Sequence, residues 1–295
     1  MEQQKNFEAT DDSKLNETYI DFDKINIKND IMFCTVFQNQ EECRELLQRI
    51  LGFEIAELSI TKQKEIQNHV FFKGIRLDIY AKDSLGNAYD IEMQLNYSGE
   101  LALRSRYYHS EMDGYQIRTG VKYDNLKESI VIFICDFDLF EKGSSVYTFE
   151  TICREYPELT LQDKRKTIFL NINGNREGLS EELSSVLDYF KTSDPTDEYT
   201  KGLEEKVKEH RNDDEWRENY MTWEMKLDER YRQGMEAGRA EGRAEGLESG
   251  RELGRAEGHE AGRAEGRAEG REEGRAENLA NLVRKKLQKG KSYSY

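Results

Sequence analysis

Hydrophobic and polar residues alternate along two neighbouring segments of the chain, which is the pattern of paired, half-buried β-strands. The apolar positions are Leu77, Ile79 and Ala81 on the first segment and Ile91, Met93 and Leu95 on the second. Residues 84–86 form a three-residue hairpin loop if Gly86 takes a left-handed backbone conformation. The resulting pairs are Asp78 with Glu92, Arg76 with Gln94, and Tyr80 with Asp90. A two-residue loop would instead place Asp78 and Glu92 on opposite faces of the hairpin.

Apolar residues elsewhere in the chain predict further helices and strands. They recur at helical spacing over residues 29–51, and Gly52 closes that segment as a C-cap. The run 129–135 is uninterrupted apolar sequence apart from Ser129, as expected of a central strand that is buried on both faces. The other predicted elements are a strand over 57–66, hairpin arms over 70–82 and 88–95, a helix over 99–119 and a strand over 167–172. The order of helix, three strands, helix and strand predicts an α/β sandwich.

Two acids face each other on the polar side of the predicted hairpin. Directly opposed residues have Cβ atoms roughly 4.5–5.5 Å apart, and like charges at that distance are destabilising unless a cation lies between them. A divalent cation fits Asp78 and Glu92, because Mg²⁺ is held by one or two carboxylates together with water and substrate phosphate oxygens. A solvated polar face of an antiparallel sheet explains the same alternation. The hairpin residues alone leave both explanations open.

Three segments of the chain, in order, resemble a known family. They are Asn-Asp-Ile-Met-Phe at 29–33, Asp78 followed by Ile-Glu-Met-Gln at 91–94, and a stretch that begins with Arg-Ser-Arg-Tyr-Tyr at 104–108. An Asp followed by a hairpin return with Glu-x-Gln resembles the active site of the PD-(D/E)XK nuclease superfamily. The flanking segments resemble more closely its recombination-promoting nuclease and transposase (Rpn-like) family. Short motifs match by chance, whereas three blocks in order with compatible spacing are specific.

This resemblance implies a restriction-endonuclease-like core, in which helices flank a mixed central sheet, and a nuclease active site. Asp78 and Glu92 match the metal-binding acids of the family. The backbone carbonyl of Met93 then supplies a third ligand, and Asp30 matches an acid that holds a metal-bound water. Gln94 stands where the wider superfamily has Lys, so a neutral amide with donor and acceptor atoms replaces a positive charge. The family commonly has Gln there, which implies that Gln94 takes part in catalysis.

The charge of the chain restricts how it could bind DNA. It carries 44 Lys and Arg against 59 Asp and Glu, a net charge of −15, and nearly all of the acidic excess lies before residue 201. Affinity for DNA comes largely from Lys and Arg that neutralise phosphates, so an acidic nuclease needs a local basic surface. We predict Arg104 and Arg106 as DNA contacts. A salt bridge between Arg104 and Glu100 is the alternative.

Cysteine, histidine and terminal sequence exclude several classes of protein. The four Cys have no Cys-x-x-Cys spacing, which favours reduced thiols over disulfides or a zinc site. The four His are scattered, and none is predicted as a ligand. The first residues lack the apolar core of a signal peptide, and no stretch reaches the length of a membrane span. We therefore expect a cytoplasmic protein.

The chain is predicted to have one main domain and a long tail. The predicted parts are a disordered polar leader over 1–23, the nuclease-like domain over 24–200, a charged helix over 201–232, a repeat tail over 233–277 and a basic amphipathic end over 278–295. In the tail, glycine stands at every fourth position from Gly234 through Gly274, mostly as Gly-Arg-Ala-Glu. Glycine weakens a helix, while Ala, Arg and Glu favour one. The tail is thus a marginal helix that acts as a solvated spacer or, alternatively, brings copies of the chain together.

These patterns predict a Mg²⁺-dependent DNA endonuclease with Asp78, Glu92 and Gln94 in its active site. By the resemblance, its cleavage serves recombination or transposition of mobile elements. The alternative is a catalytically weakened DNA-binding or scaffolding subunit of a mobile element that assembles through the tail. A Ser/His/Asp hydrolase finds no support, because no Ser lies in a nucleophile-elbow pattern.

Overall fold

The computed structural model of the protein describes residues 20–61, 65–66, 75–76, 78–117 and 122–290. Its helices are α1 (Asp30–Phe37), α2 (Gln40–Leu51), α3 (Leu101–Gln116), α4 (Glu181–Thr192), α5 (Glu198–Asn212) and α6 (Asp214–Gly290), with 3-10 turns at Phe22–Lys24 and Tyr123–Asn125. Its strands are β1 (Leu58–Thr61), β2 (Glu65–Ile66), β3 (Ile75–Arg76), β4 (Ile79–Asp83), β5 (Ala88–Gln94), β6 (Ser129–Cys135), β7 (Val146–Phe149) and β8 (Arg165–Asn171).

A mixed sheet of six strands lies at the centre of the fold, in the order β1-β4-β5-β6-β8-β7. Strands β5, β6 and β8 run parallel, whereas β1, β4 and β7 pair antiparallel to their neighbours. Every residue of β6 is buried, as its apolar sequence predicts for a central strand. The predicted mixed sheet flanked by helices is confirmed.

Helices cover the two faces of this sheet unequally. The larger apolar cluster joins one sheet face to α1, α2, α4, α5 and the start of α6. The smaller cluster joins the other face to α3 through Leu101, Tyr108 and Met112. On β5 the side chains alternate between these faces, so Tyr89, Ile91 and Met93 enter the larger cluster. The acids of β5 therefore lie on the face that α3 covers.

The hairpin between β4 and β5 has the predicted loop and register. Ile79 pairs with Ile91 and Tyr80 with Asp90. Gly86 has φ 88°, and its N–H donates to the carbonyl of Asp83 over 3.0 Å. A left-handed conformation at this position favours glycine. Since the register continues one residue before β4, Asp78 lies opposite Glu92.

Several element boundaries differ from the sequence prediction. The helix predicted over 29–51 is two helices, because the side chain of Asn39 accepts the N–H of Glu41 and starts α2 as an N-cap. The strand predicted over 57–66 ends at Thr61, and Glu65–Ile66 pairs with Ile75–Arg76 in a separate small sheet. Arg76 therefore pairs with Glu65 and not, as predicted, with Gln94. The predicted hairpin residues 70–74 and 77 and helix residues 118 and 119 lie outside the described residues, as do residues 1–19 of the leader and 291–295 of the C-terminal end.

The end of the first compact unit lies beyond the predicted boundary at residue 200. The chain divides into two compact units after Tyr220. Trp216 donates from Nε1 to the hydroxyl of Thr35 over 3.1 Å, and Asn29 donates to the hydroxyl of Tyr220 over 3.1 Å. Both aromatic rings also contact Phe22. Residues 20–23 of the predicted leader are thus part of the folded structure.

The repeat tail is helical throughout its length. Helix α6 continues through all the glycines from Gly234 to Gly274, and nearly every side chain there is exposed. The tail predicted as a marginal helix is thus a long continuous helix, because most residues between the glycines are Ala, Arg or Glu, which are good helix formers. Within the described part of the chain, no helix is both long and apolar enough to cross a membrane.

Candidate active site

Two strands bring the predicted metal-binding acids together at one end of the hairpin. The N–H of Asp78 donates to Oε1 of Glu92 over 3.2 Å. In return, the N–H of Met93 donates to Oδ2 of Asp78 over 3.4 Å. Each carboxylate is thus held by the backbone of the strand that carries the other. Short side chains fixed by backbone donors lose little freedom, so this acid pair is set in place by the fold of the hairpin.

Arg104 of α3 lies against this acid pair. Its Nη2 donates to Oε2 of Glu92 over 2.9 Å, and its Nη1 donates to Oε1 of Gln94 over 2.9 Å. The hydroxyl of Tyr108 accepts from Nε and Nη2 over 3.1 and 2.8 Å. The guanidinium also lies 5.4 Å from the ring centroid of Tyr108 and 5.7 Å from that of Phe133. These contacts hold the cation on both its edge and its face.

The position of Arg104 contradicts the alternative interpretation of its sequence, whereas its role as a DNA contact stays a prediction. Its ion pair is with Glu92 rather than with Glu100. Its guanidinium already contacts two site residues of β5, Glu92 and Gln94, whereas the side chain of Arg106, two residues along the helix, is exposed. Arg106 therefore keeps the surface position expected of a DNA contact, and Arg104 belongs to the acid site.

Arg104 also determines how the amide of Gln94 is oriented. A guanidinium has only donors, so the amide must turn its oxygen toward it. The NH₂ of Gln94 consequently lies on the side away from Arg104. Gln94 therefore has two N–H donors on that side, and its oxygen accepts one hydrogen bond from Arg104.

Burial makes the acids of this face hard to ionise. Burial and then the charge of Asp78 raise the pKa of Glu92 to about 8, against the opposing charge of Arg104. The charge of Asp30, the first residue of α1, adds to the rise. The ion pair with Arg104 alone would lower this pKa. Burial outweighs it, because Glu92 is only 2% exposed while Arg104 is 32% exposed.

A further acid on this face was not among the predicted site residues. Asp90 is fully buried, and neither of its carboxylate oxygens has a hydrogen-bond partner among the described residues. Burial, followed by the charges of Glu92 and Asp78, raises its pKa well above the usual value. The alternation of β5 placed Asp90 on this face in the sequence, but nothing in the sequence indicated that it would be buried without a partner.

The oxygen donors of the site fit a divalent cation. Carboxylate and carbonyl oxygens are the ligands that Mg²⁺ prefers, and one or two carboxylates suffice. Burial and, after it, neighbouring negative charge raise the pKa of both Glu92 and Asp90, and a cation would offset the part that comes from charge. In the described ranges no cluster of three or more His, Cys, Asp or Glu is arranged to hold a metal. The ligand roles of Asp78, Glu92, Met93 and Asp30 stay predictions.

Other basic residues that could meet DNA are partly engaged. Lys166 lies 3.6 Å from a carboxylate oxygen of Glu128 and 3.4 Å from one of Glu150. Lys164 donates to the carbonyl of Leu126 over 3.0 Å. Arg118 lies outside the described residues. Among these candidates, Arg106 is the exposed cation on the helix beside the acids.

Comparison with known proteins agrees with this geometry. A family model described as PD-(D/E)XK nuclease family transposase matches residues 27–237. A comparison with curated proteins found no match.

Proposed function

Because the chain belongs to the PD-(D/E)XK nuclease family transposases, we propose that it is a divalent-metal-dependent DNA endonuclease that hydrolyses phosphodiester bonds. The cleavage would serve recombination or transposition. The observation that carries the proposal is the pair formed by Asp78 and Glu92, whose carboxylates are held by each other's strands on a face with excess negative charge.

In this proposal Asp78, Glu92 and the carbonyl of Met93 would hold Mg²⁺ or another divalent cation, and Asp30 would act through water. When bound, the cation lowers the pKa of water and neutralises charge that develops on the scissile phosphate. Gln94 orients the attacking water or a phosphate oxygen through its NH₂. A neutral amide is not basic enough to take a proton from water, and the Gln94 oxygen already accepts one hydrogen bond from Arg104. It is therefore a positioning donor rather than a general base.

DNA would reach this site across the exposed side of α3. Arg106 is the residue we propose for a phosphate contact there, since the net charge of −15 leaves few basic surfaces. The cytoplasmic location expected from the sequence stays a prediction.

One observation favours the alternative of a catalytically weakened DNA-binding or scaffolding subunit. An oxygen of Glu92 is engaged by Arg104, and a pKa of about 8 keeps this carboxyl largely protonated at neutral pH. Such a subunit would assemble with other copies through α6. A nuclease differs from it in having metal-dependent activity.

Plasmid cleavage distinguishes the two functions. Supercoiled DNA is incubated with the full chain in Mg²⁺, in Mn²⁺ and in EDTA, and Asp78→Asn is compared with wild type. Asn has the same shape and can still accept the N–H of Met93, so the fold should be kept. Asp124→Asn makes the same change at an exposed acid in the turn Tyr123–Asn125. We expect cleavage by wild type and Asp124→Asn in metal only, and none by Asp78→Asn. Equal cleavage by Asp78→Asn would refute the site.

A further inference from the structure

Three acidic side chains and one cationic side chain lie together in the candidate active site. Asp78, Asp90 and Glu92 share one face of the hairpin, and the charge of Arg104 opposes theirs at Glu92 and Asp90. Hydrolysis of a phosphodiester adds negative charge to the phosphate in the transition state, and a positively charged side chain fixed nearby stabilises that charge in addition to the metal. Residue 94 is an uncharged Gln, and it cannot supply that positive charge.

We infer that Arg104 supplies the positive charge that Gln94 lacks and is the positioning residue for the Gln94 amide. This inference rests on the proposed nuclease function. In the wider superfamily a Lys stands where this chain has Gln94. Here the charged side chain is that of Arg104 on α3, ten residues after Gln94 in the chain. Its Nη1 donates to Oε1 of Gln94, so the positive charge lies beside residue 94.

The donors of Arg104 are almost all committed to this arrangement. A guanidinium has five N–H groups. Four of them are used by Tyr108, Glu92 and Gln94. One N–H of Nη1 has no partner among the described residues, and the side chain is 32% exposed. Arg104 thus holds Glu92, Gln94 and Tyr108 and keeps one N–H donor for an oxygen of the substrate.

The cation is fixed before any substrate is present. The Tyr108 hydroxyl accepts from two of its nitrogens, and the rings of Tyr108 and Phe133 lie beside its plane. A charge held this way needs no rearrangement when the transition state forms, and this is the condition under which fixed dipoles and charges accelerate reactions most. A Lys at position 104 would keep the charge, but it has no planar fork that can bind Glu92, Gln94 and Tyr108 together.

The role proposed for Arg104 and the role of an ordinary phosphate contact affect different measured quantities. A contact that only binds DNA affects affinity and the dependence of affinity on salt. A fixed charge that acts on the transition state affects kcat while KM changes little. Arg106 offers a matched comparison, because it carries the same charge on the same helix but is exposed.

The test moves the positive charge from residue 104 to residue 94. The full chain is compared as wild type, Arg104→Met, Arg104→Lys, Arg106→Met and the double variant Gln94→Lys with Arg104→Met. Cleavage of a labelled duplex in Mg²⁺ gives kcat and KM, and fluorescence anisotropy in Ca²⁺ gives DNA affinity at several salt concentrations. Circular dichroism and melting temperature check the fold of each variant, and Arg104→Lys remains as the milder change if Arg104→Met does not fold.

We expect Arg104→Met to lower kcat by about 100-fold, with DNA affinity in Ca²⁺ and its salt dependence close to those of wild type. Adding Gln94→Lys should recover at least about tenfold of that loss, because the charge returns beside the same acids. Arg106→Met should act on KM and on the salt dependence.

The inference is overturned if Arg104→Met cleaves as fast as wild type, if Arg106→Met loses as much kcat, or if a folded double variant shows no recovery. In each of those cases wild type still cleaves and Asp78→Asn does not, so the proposed function stands. If wild type cleaves in no metal, both the function and this inference are rejected.

Discussion

Glu92 should make the metal-free protein less stable as the pH rises, and its replacement by Gln should remove that loss. Burial, followed by the charge of Asp78, raises the pKa of Glu92 from 4.5 to about 8. In the unfolded chain the same carboxyl ionises near pH 4.5. Between pH 4.5 and 8 the folded protein therefore holds a proton that the unfolded chain has released. The contribution of this group to stability is largest below pH 4.5 and is lost as the pH rises to 8.

The size of this effect follows from the shift in pKa. One pKa unit corresponds to about 1.4 kcal/mol, so Glu92 accounts for a loss of roughly 5 kcal/mol across that range. Gln has nearly the same shape and can still accept the N–H of Asp78. Glu92→Gln should therefore match wild type near pH 4.5 and exceed it by several kcal/mol at pH 8.

Urea unfolding, followed by circular dichroism in EDTA between pH 4.5 and 8, measures the difference. Glu100→Gln is the matched control, because Glu100 is exposed immediately before α3. At pH 8, Mg²⁺ should raise the free energy of unfolding of wild type more than that of Glu92→Gln, since only a ligand of the folded state stabilises it. Parallel pH profiles for wild type and Glu92→Gln would show that Glu92 is not held protonated by burial, and the reasoning would fail.

Three further outcomes follow from the described contacts. Burial lowers the pKa of His109 to about 3, so stability should fall by about 1.4 kcal/mol per pH unit below pH 6.5, and His109→Gln should flatten that part of the pH profile of urea unfolding. Asp90→Asn should raise the melting temperature of the metal-free protein at pH 8, since burial and the charges of Glu92 and Asp78 oppose ionisation of this carboxyl in the folded protein but not in the unfolded chain; a lower melting temperature would contradict this. Removal of residues 233–295 should leave the melting temperature of the first unit unchanged within a few degrees, because that unit ends at Tyr220.

Local sequence rules predicted the hairpin well because its geometry is set within a few residues. The loop follows from Gly86, whose left-handed conformation other residues adopt with strain. Alternation then decides which side chains share a face, and the register places Asp78 opposite Glu92 without reference to the rest of the fold. Strand β6 was also predictable from local sequence, since a strand that is buried on both faces is apolar at nearly every position.

The predicted boundaries of helices and strands were wrong where a single polar side chain interrupts a periodic pattern. The helical spacing of residues 29–51 continues across Asn39, yet the Asn39 side chain caps a new helix there. The edge strand β7 is short and half exposed, so it has neither strict alternation nor an unbroken apolar run. The tail is a more continuous helix than the marginal one that its sequence predicts. Ala, Arg and Glu favour the helix, and their combined preference outweighs the cost of each glycine.

The chemistry of residue 94 is the clearest example of what local sequence cannot supply. In the sequence of β5 alone, Gln94 replaces the Lys of the superfamily motif, and the motif loses its positive charge. Once α3 packs on the sheet, the ion pair of Arg104 joins two elements that the sequence separates. Arg104 turns the Gln94 amide so that its N–H groups lie away from the guanidinium, and it places a cation where the motif has none. The role of a motif position therefore depends on which helix packs over it, and a substitution within the motif can be offset by a side chain outside it.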